Sequence, residues 1–559
     1  MKNELSKQKS LYLKQHENNP VAWQAYSEET IAKAMELNKP LFISIGYSSC
    51  HWCHVMAHES FENETAAEIL NKYFVPVKID REEFPSVDKR YQFYLHATGK
   101  RGGWPLSIFA LPDGRPFFGG TYFPPKPTHG LPAFTEIVVQ LGKLYQDTPK
   151  EAEKYSKNYD KFFDKFIVTD KTSEELTGFD FHTASESFSK MFDSEQGGLG
   201  KDAKFPNIPV MEAMMEYYDT DLFVRDFMNL TADRLCTSGI YDHVNGGFYR
   251  YAVDRKWSVP HFEKMLYDNA QNTCFLLDMF EKTDNRLYLK TAEKTIDFIL
   301  HEFNTDFGLI SAMDADSLDD DLKLVEGFYY LVSEDQIKQI ADSVTLTEGV
   351  ITVNNADYEE YVRLEQHFLK IQADNLKEKP AKDTKIILSQ NMLFVKALLR
   401  MFEISGSDYY MEQASALLGK LRHFHMHGRS LFRINYHGEV MEQTTLEDYA
   451  FTIDAFMKFF EITKEKLFLT EASAFADEAL KLFCKDGLIY LDTEKTVIDT
   501  FDDSIPNSIS VFIGLLLTAG DIMGIPVEKS IIDFGADRLI KYPGGHPTLF
   551  KTFMRYSNL

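Results

Sequence analysis

The apolar periodicity of the chain from about residue 181 onward constrains its fold most strongly. Over this stretch apolar residues recur three and four positions apart, which is the spacing of one face of an α-helix. Paired into hairpins, such helices predict an all-α (α/α)6 toroid with an inner and an outer ring, although an open solenoid of helix pairs is an alternative. The pattern predicts about twelve helices, at residues 181–193, 208–218, 222–239, 261–282, 286–304, 357–377, 388–404, 409–427, 446–463, 467–484, 507–523 and 528–541.

The first 170 residues have a different sequence pattern, in which short apolar segments typical of strands alternate with helical segments. This alternation predicts an α/β layered domain. We therefore expect two domains, residues 1–170 and 171–559, with a charged helical connector at 148–166. Strands are predicted at 41–46, 74–80 and 105–118, and helices at 21–39, 59–74 and 87–98.

The charge balance limits the partners that the protein can have. The chain has 60 Lys and Arg against 85 Asp and Glu, which gives a formal net charge of -25. Nucleic acids and anionic membranes both require a basic surface, so we expect neither as a partner. The longest uncharged run, 504–520, is too short and too polar to cross a bilayer, and the first residues contain no apolar signal segment. We expect a cytoplasmic protein.

A Cys-x-x-Cys sequence, Cys50-His51-Trp52-Cys53, follows the predicted strand 41–46 directly and should open a helix. The chain has only five cysteines, which is too few for a disulfide framework, so this pair stands out. Unpaired N–H groups and the helix dipole favour a thiolate at a helix start. Cys50 is therefore the expected attacking thiol and Cys53 the expected resolving thiol.

Two other interpretations of the cysteine pair stay open. The pair can be an inert thiol couple in a scaffold that has lost its chemistry. It can also be half of a metal site, because the spacing of His54 and His58 places both imidazoles on one face of a regular helix. We expect no metal and no cofactor.

Pro105 is a candidate cis-proline. It follows Gly102-Gly103-Trp104 and introduces an apolar strand, and an aromatic residue before proline raises the frequency of a cis bond. A cis-proline flanks the Cys-x-x-Cys of thioredoxins. The strand before the cysteines and the X-Pro strand after them together predict a thioredoxin-like domain.

Long, specific stretches recur in a known family. The N-terminal ones are SLYLKQHENNPVAWQAYSEE (10–29), GYSSCHWCHVMAHESFEN (46–63), VKIDREEFPSVDKRY (77–91) and GGWPLSIFALPDGRPFFGGTYFP (102–124). The later ones are KFPNIP (204–209), GIYDHVNGGFYRYAVDRKWSVPHFEKMLYDNA (239–270), SAMDADS (311–317), LEDYAF (446–451) and PNSIS (506–510). On these stretches the chain resembles the DUF255 family, also called YyaL-like or spermatogenesis-associated protein 20-like proteins.

This resemblance implies a thioredoxin-like domain fused to a six-hairpin toroid similar to N-acylglucosamine 2-epimerases and (α/α)6 glycosidases. It implies no established reaction, because a shared fold does not fix the chemistry. The chain departs from the family at 382–391, where it reads Lys-Asp-Thr-Lys and then Ser-Gln-Asn. The family usually has an acidic pair before a lysine, followed by Ser-Trp-Asn, and the segment 317–383 is also short here.

The candidate catalytic residues of the toroid are His261, Glu263 and Asp268. Ser258 and Pro260 form a helix-start signature, which predicts His261 and Asp268 on one helix face and Glu263 on a neighbouring face. Ionisable groups at a helix start, facing a funnel, can act as general acid and base on a sugar. The alternative is an internal polar network that clamps adjacent helices.

The candidate substrate-binding residues combine aromatic rings, which pack on sugar rings, with charged groups, which bind hydroxyls. For residues 241–250 the alternative is a tight hairpin built on two glycines. For Asp314 and Asp316 the alternative is a solvated acidic loop, and for Asp448 it is a buried cap or an ion-pair partner. These candidates are Tyr241, Asp242, His243, Arg250, Asp314, Asp316 and Asp448.

Three functional hypotheses follow. The first is a thiol–disulfide couple joined to a toroid that binds, isomerises or epimerises a small sugar-like ligand. The second is a disulfide reductase or redox sensor whose toroid only selects protein disulfide partners. The third is a scaffold in which both sites have decayed.

Overall fold

The computed structural model describes residues 1–128, 130–354 and 357–557. These residues divide into two compact units: the first comprises residues 1–168 and 497–499, and the second comprises the rest of the described chain. Within these ranges, no helix combines the length and the apolar character that crossing a membrane requires.

The first unit is built on a mixed sheet, which has five strands in its described residues, in the order β1-β3-β2-β4-β5. The strands β1, β3 and β2 run parallel, whereas β4 is antiparallel to β2 and β5 to β4. This order and these directions define a thioredoxin-like fold, which confirms the predicted fold class. The strands are β1 Gln24–Ala25, β2 Leu41–Gly46, β3 Val75–Asp80, β4 Leu106–Ala110 and β5 Pro116–Gly120.

Helices cover the sheet of the first unit and begin at local capping signals. The Ser27 side chain accepts a hydrogen bond from Thr30 N–H, and the Asn63 side chain accepts one from Ala66 N–H. The predicted helix at 21–39 begins only at Glu28, because residues 24–25 pair with β3. The main helices are Glu28–Glu36, His51–Met56, Glu64–Tyr73, Pro85–Ala97, Phe134–Asp147 and Pro149–Phe166.

The described residues of the second unit contain six helices that pack side by side into a closed ring, in which the sixth returns to contact the first. We call them inner helices 1 to 6: Ile208–Met214, Leu266–Thr283, Leu388–Ser405, Leu446–Thr463, Ser508–Met523 and Pro547–Ser557. Outer helices 1 to 6 alternate with them along the chain: Phe181–Ser189, Leu222–Thr237, Arg286–Glu302, Asp408–His425, Lys466–Phe483 and Lys529–Lys541. The closed ring confirms the (α/α)6 toroid over the open solenoid.

Because outer and inner helices alternate, all inner helices run in the same direction and begin at one end of the ring, which we call the ring mouth. A second sheet lies there: strand Lys264–Met265 leads into inner helix 2, and strand Lys382–Ile387 leads into inner helix 3. Over the described residues this sheet has five strands, and its central strand, Lys382–Ile387, pairs with Ile310–Met313 and Ile434–Tyr436. The helical periodicity of the sequence gives no sign of this sheet.

The ring uses a different helix from the one that the sequence predicts. Residues 357–377 do contain a helix, Tyr358–Asp374, but it packs on outer helix 3 instead of entering the ring. The ring is completed by Pro547–Ser557, which the periodicity does not predict. This helix is short and follows Gly544-Gly545, so its periodic signal is weak.

The predicted helix start at 261 is wrong. Pro260–His261 pairs with Tyr251–Ala252, Lys264–Met265 pairs with Ala312–Met313, and inner helix 2 begins at Leu266. The local signature at Ser258 and Pro260 is overridden by these strand pairings. His261 and Asp268 therefore do not share a helix face.

A short hairpin recurs after the outer helices; the alternative given for residues 241–250, a tight hairpin, is correct there, but the recurrence is not predicted from the sequence. In the described part of the chain, each of the first five outer helices is followed by a two-stranded antiparallel turn. Gly246 and Gly247 have φ values of 88° and 80°, a region that favours glycine. The hairpin at 241–248 is thus one member of a structural repeat, with the bridges Phe192–Leu199, Tyr241–Phe248, Asn304–Leu309, Met426–Leu431 and Cys484–Ile489.

Candidate functional site

The cysteine pair lies at the start of a helix, directly after the central strand β2. Cys50 caps the helix His51–Met56, and its Sγ accepts a hydrogen bond from the Cys53 N–H at 3.2 Å. The two cysteines form a disulfide with sulfurs 2.09 Å apart and Cα atoms 5.2 Å apart. An N–H directed at the Cys50 sulfur, together with the helix dipole, stabilises negative charge on that sulfur when the disulfide opens.

The metal-site interpretation of the cysteine pair is not supported by this geometry. Both sulfurs are joined in the disulfide, so neither is a thiolate ligand. The His54 Nε2 lies 2.8 Å from the Ser48 carbonyl oxygen, whereas the exposed His58 pairs with Glu62 at 3.0 Å. The regular helix ends at Met56 and a π-helical turn, Ala57–Phe61, follows, so the predicted common helix face does not continue to His58.

The Trp104–Pro105 peptide bond is cis. Leu106 pairs with Ile45 at the end of β2, so Pro105 lies at the same end of the sheet as the cysteine pair. Trp104 is fixed on both sides: its Nε1–H donates to Asp88 Oδ1 at 2.9 Å, and the Arg81 guanidinium lies 3.8 Å from its ring centre. These contacts fix Trp104, the residue that precedes the proline.

Next to the disulfide, the first unit contains a buried polar layer to which the sequence analysis assigned no role. Lys78, on β3, is only 1% exposed, and its Nζ lies 5.0 Å from the Tyr12 ring, 4.9 Å from the Trp23 ring and 4.5 Å from the Phe61 ring. Burial lowers the pKa of Lys78 well below its usual value. The signal that could have revealed this layer is a lysine inside the buried strand VPVKID.

Tyr12 belongs to the same layer and is fully buried. Burial, with the negative charge of Asp80, raises the pKa of its hydroxyl, so Tyr12 stays protonated. Asp80 is held by hydrogen bonds donated by Ser10 Oγ at 2.6 Å and by Glu82 N–H at 2.9 Å. Residues 10–29 thus supply two of the three rings around Lys78, and Phe61 supplies the third.

At the ring mouth, the structure places one predicted catalytic residue, His261, beside carboxylates that lie outside the predicted catalytic set. His261 Nδ1 lies 3.3 Å from Glu326 Oε1, and the His261 ring lies 4.9 Å from the ring of Tyr251. Glu326 pairs with Asp316 across a short hairpin, so these two carboxylates share one face of it. Asp268 is buried in the first turn of inner helix 2.

Glu263 and Arg250 form a buried ion pair. Their side chains meet at 2.9 Å, and the Arg250 N–H also donates to the Glu263 carbonyl oxygen at 2.9 Å. The Glu263 carboxylate is thus engaged by the Arg250 side chain, and its carbonyl oxygen by the Arg250 backbone. The alternative interpretation of Glu263, a polar clamp, fits this geometry better than acid–base catalysis.

Asp242, Tyr241 and His243 serve the packing of the hairpin at 241–248. Burial alone would raise the pKa of Asp242, but Lys264 Nζ, which donates to Asp242 Oδ2 at 2.7 Å, and the hydrogen bonds from Asn245 outweigh it, so the pKa is lowered. Burial raises the pKa of Tyr241 and lowers the pKa of His243 to about 4. His243 Nε2 lies 3.1 Å from the Ser238 carbonyl oxygen, inside the protein.

The remaining predicted carboxylates are buried. Asp314 and Asp316 are 7% and 6% exposed, so the expectation of a solvated acidic loop is wrong: Asp316 belongs to a strand, and its N–H donates to Asp314 Oδ1. Asp448 accepts from Thr445 N–H at 2.9 Å and lies 3.2 Å from Arg433 Nη1. Asp448 is therefore both a cap of inner helix 4 and an ion-pair partner, and burial raises its pKa.

Comparison with known proteins identifies the first unit. Residues 2–164 match the model of a family described as "Protein of unknown function, DUF255". The chain carries a DUF255 domain. This finding confirms the family resemblance, and the disulfide, the cis-proline and the buried lysine all lie within the DUF255 domain.

Two curated relatives extend the similarity beyond the DUF255 domain. An uncharacterized protein of Caenorhabditis elegans is 36% identical over 64% of this chain, which spans half of that relative's length. Spermatogenesis-associated protein 20 of Mus musculus is 29% identical and covers 98% of this chain and 80% of the mouse protein.

Solved structures also match the chain, at low identity. Cellobiose 2-epimerase from Bacillus thermoamylovorans has 13% identity and a TM-score of 0.29, and covers 60% of this chain and 94% of that chain. The GH76A alpha-1,6-mannanase from Salegentibacter sp. has 9% identity and a TM-score of 0.38, and covers 67% and 97%. Likeness at this level carries no argument about the chemistry of the second unit.

Proposed function

We propose that the DUF255 domain catalyses thiol–disulfide exchange through Cys50 and Cys53. The observation that carries this proposal is the position of Cys50 at a helix start, with the Cys53 N–H directed at its sulfur. This arrangement favours the thiolate, which is the attacking species. We expect a substrate chain to contact Trp52, which is 46% exposed, and Pro105, which lies at the same end of the sheet as the cysteine pair.

The exchange proceeds in two balanced steps. The reduced Cys50 thiolate attacks a substrate disulfide, forms a mixed disulfide and releases one substrate thiolate, which takes up a proton. Cys53 then loses its proton and attacks Cys50, which releases the second substrate thiolate and regenerates the Cys50–Cys53 disulfide. The substrate gains two electrons in total, and a small dithiol restores the reduced pair.

Reduction of insulin by dithiothreitol tests this proposal. We expect the full-length protein to accelerate insulin precipitation and Cys50→Ser to abolish the acceleration. Cys53→Ser should accumulate a mixed disulfide, which mass spectrometry detects. The matched control is Cys484→Ser, because burial raises the pKa of the Cys484 thiol to about 12. A wild-type protein that leaves the uncatalysed rate unchanged would contradict the proposal.

We propose a second role, binding of a small polyhydroxyl ligand, for the ring mouth. His261, Glu326 and Asp316 combine an imidazole with two carboxylates beside the Tyr251 ring, a set that can bind hydroxyls and pack on a sugar face. The ion pairing of Glu263 with Arg250 favours binding over isomerisation or epimerisation.

Calorimetric titration with aldoses and N-acylated aminosugars tests this second role, and NMR of the same mixtures detects isomers. We expect binding without isomer formation, and loss of binding in His261→Gln. His301→Gln is the matched control, because His301 lies on the surface of outer helix 3. Absence of heat for every sugar, at high protein concentration, would rule out the ligand class.

A further inference from the structure

The buried polar layer of the DUF255 domain contains Lys78, which, unlike the other buried lysines, does not form an ion pair with a carboxylate in the described part of the chain. Lys204, Lys264 and Lys385 each have a carboxylate within 3.1 Å. Within the described ranges, Lys78 has no carboxylate at ion-pair distance, and its Nζ donates to the Ser44 hydroxyl at 3.1 Å inside its aromatic cage. A buried lysine without a carboxylate is poised to lose and regain its proton.

Tyr12 and Cys53 converge on the same point of the fold. A Cβ atom added to Gly46 would lie 2.5 Å from the Tyr12 hydroxyl oxygen and 2.6 Å from the Cys53 sulfur. Since both atoms lie so near one point, they are separated by no more than about 5 Å. The absence of a side chain at Gly46 is what lets the tyrosine hydroxyl approach the resolving cysteine.

The Ser44 hydroxyl connects this hydroxyl with the lysine. Ser44 accepts a hydrogen bond from Lys78 Nζ at 3.1 Å, and it lies close enough to the Tyr12 hydroxyl to affect the pKa of that group. Among the described residues, the Tyr12 hydroxyl makes no hydrogen bond, so its proton is not committed to another acceptor. A proton path from cysteine to lysine would therefore run Cys53, Tyr12, Ser44, Lys78, with the Tyr12 hydroxyl accepting from Cys53 and donating to Ser44 during the transfer.

The other titratable groups around this path are fixed. Asp80 faces Tyr12 and is held by Ser10 and by the Glu82 N–H. His16 packs on Tyr12 at 5.2 Å between ring centres, and burial with the nearby Lys78 lowers the pKa of His16 well below its usual value. The charge of His54 also acts to lower the pKa of His16, and the His54 Nε2 lies 2.8 Å from the Ser48 carbonyl oxygen. Lys78 is thus the group of this layer best placed to exchange a proton with Cys53.

We propose that Lys78, through Ser44 and Tyr12, takes the proton of the Cys53 thiol when the mixed disulfide on Cys50 is resolved. Each hydroxyl of the path passes on one proton and receives one, so the net transfer is from Cys53 to neutral Lys78. The Cys53 thiolate then attacks the Cys50 sulfur, and the departing substrate thiolate is protonated by solvent. When a dithiol opens the Cys50–Cys53 disulfide again, protonated Lys78 returns the proton to Cys53.

This inference rests on the proposed exchange reaction, and one experiment separates the two. The fully reduced protein is mixed with less than one equivalent of 5,5′-dithiobis(2-nitrobenzoate). Attack by Cys50 releases the first thionitrobenzoate, and attack by Cys53 on the mixed disulfide releases the second. Stopped-flow absorbance therefore reports the two steps as separate phases, each of which is measured against pH.

We expect Lys78→Met and Tyr12→Phe to slow the second phase at neutral pH by about 10-fold or more, because general-base assistance is lost. The first phase should keep the wild-type rate, and the pH profile of the second phase should move to higher pH. Tyr91→Phe is the matched control, because it removes a buried hydroxyl that donates to Gly114 at the other end of β4. Both phases should be unchanged in that variant.

Each outcome bears on a different claim. Second phases in Lys78→Met and Tyr12→Phe that equal the wild-type phase overturn the relay while the exchange reaction stands. A wild-type protein that releases only one thionitrobenzoate overturns both. Should Lys78→Met fail to fold, Tyr12→Phe, which keeps the ring, decides the matter together with the pH dependence of Cys53 alkylation in Cys50→Ser. An alkylation profile that Tyr12→Phe leaves unchanged in that background also overturns the relay.

Discussion

Gly46 provides the sharpest packing test at the scale of single residues. The Cβ of an alanine there would lie closer to the Tyr12 oxygen and the Cys53 sulfur than van der Waals contact allows, at 2.5 Å and 2.6 Å. Tyr12 is fully buried and Cys53 is held in the disulfide, so neither can easily move away. We expect Gly46→Ala to lower the free energy of unfolding by about 1–3 kcal/mol, measured by urea denaturation.

Gly419→Ala is the control for that substitution. Gly419 lies in outer helix 4, and in the described part of the chain no atom beyond its own helix backbone and chain neighbours lies within 4 Å of the position where its Cβ would be. Since alanine favours a helix over glycine, this variant should be more stable than the wild type by up to about 1 kcal/mol. Equal stability of Gly46→Ala and the wild type would show that the cysteine pair is loosely packed.

Some side-chain positions at the two sites could be predicted from the sequence, and others could not. The geometry of Cys50 could be predicted, because the strand, the cap and the helix that fix it are contiguous in sequence. The contact of Lys78 with Tyr12 could not be predicted, because it depends on how residues 10–29 pack against β3. The ion pair of Glu263 with Arg250 was missed for a similar reason, since strand pairing replaces the expected helix.

At the scale of elements, inner helix 6 closes the ring although it is short and lies near the C-terminus. Phe550 is fully buried there and contacts Phe181 and Phe188 of outer helix 1 at 5.5 Å and 5.4 Å between ring centres. We expect Phe550→Ala to lower the free energy of unfolding by about 3–5 kcal/mol, because it leaves a cavity between two helices. Urea denaturation followed by circular dichroism at 222 nm measures this loss.

The exposed Tyr556 on the same helix is the control, and Tyr556→Ala should change stability by less than about 0.5 kcal/mol. If Phe550→Ala changed the free energy of unfolding as little as Tyr556→Ala, inner helix 6 would not contribute to the stability of the ring. A large loss would show that these final residues support the same cooperative unit as the inner helices before them.

Helices with strong apolar periodicity could be predicted from sequence nearly to the residue. Inner helix 4 is predicted at 446–463 and observed at Leu446–Thr463. Errors arise where tertiary structure decides: the helix Tyr358–Asp374 has the right period but lies outside the ring, and residues 260–265 pair as strands. Periodicity reports a buried face, but it does not report what that face packs against.

At the scale of the whole molecule, buried histidines link stability to pH. Burial lowers the pKa values of His243, His425 and His546 in the second unit to about 4. An unfolded histidine titrates near 6.5, so between about pH 6.5 and 4 the unfolded chain binds more protons than the folded protein. These three residues therefore destabilise the fold as the pH falls through that window, and their effect is constant below it.

The shifted pKa values of carboxylates also change the free energy of unfolding, at lower pH values and in either direction. The pKa of Glu302 is lowered to about 2, because Lys379 and Lys382 outweigh the effect of burial, so its contribution to stability is lost mainly below pH 4.5. Burial raises the pKa of Asp448, which works against the histidines. The pH dependence of the free energy of unfolding is thus the sum of opposing contributions from several residues. The difference between a single variant and the wild type isolates the contribution of one residue.

We expect His243→Gln to eliminate the proton that His243 takes up when the protein unfolds at acidic pH. Between pH 6.5 and 4.5 the free energy of unfolding of the variant should fall less steeply than that of the wild type, by up to about 1.4 kcal/mol per pH unit. Urea denaturation at several pH values, followed by circular dichroism at 222 nm, measures this slope. His301→Gln, which makes the same replacement at a side chain that is 82% exposed, is the control for the substitution itself. Identical slopes for His243→Gln and the wild type would mean that His243 is already protonated in the fold, against the burial that its contacts with Ser238 and Tyr361 describe.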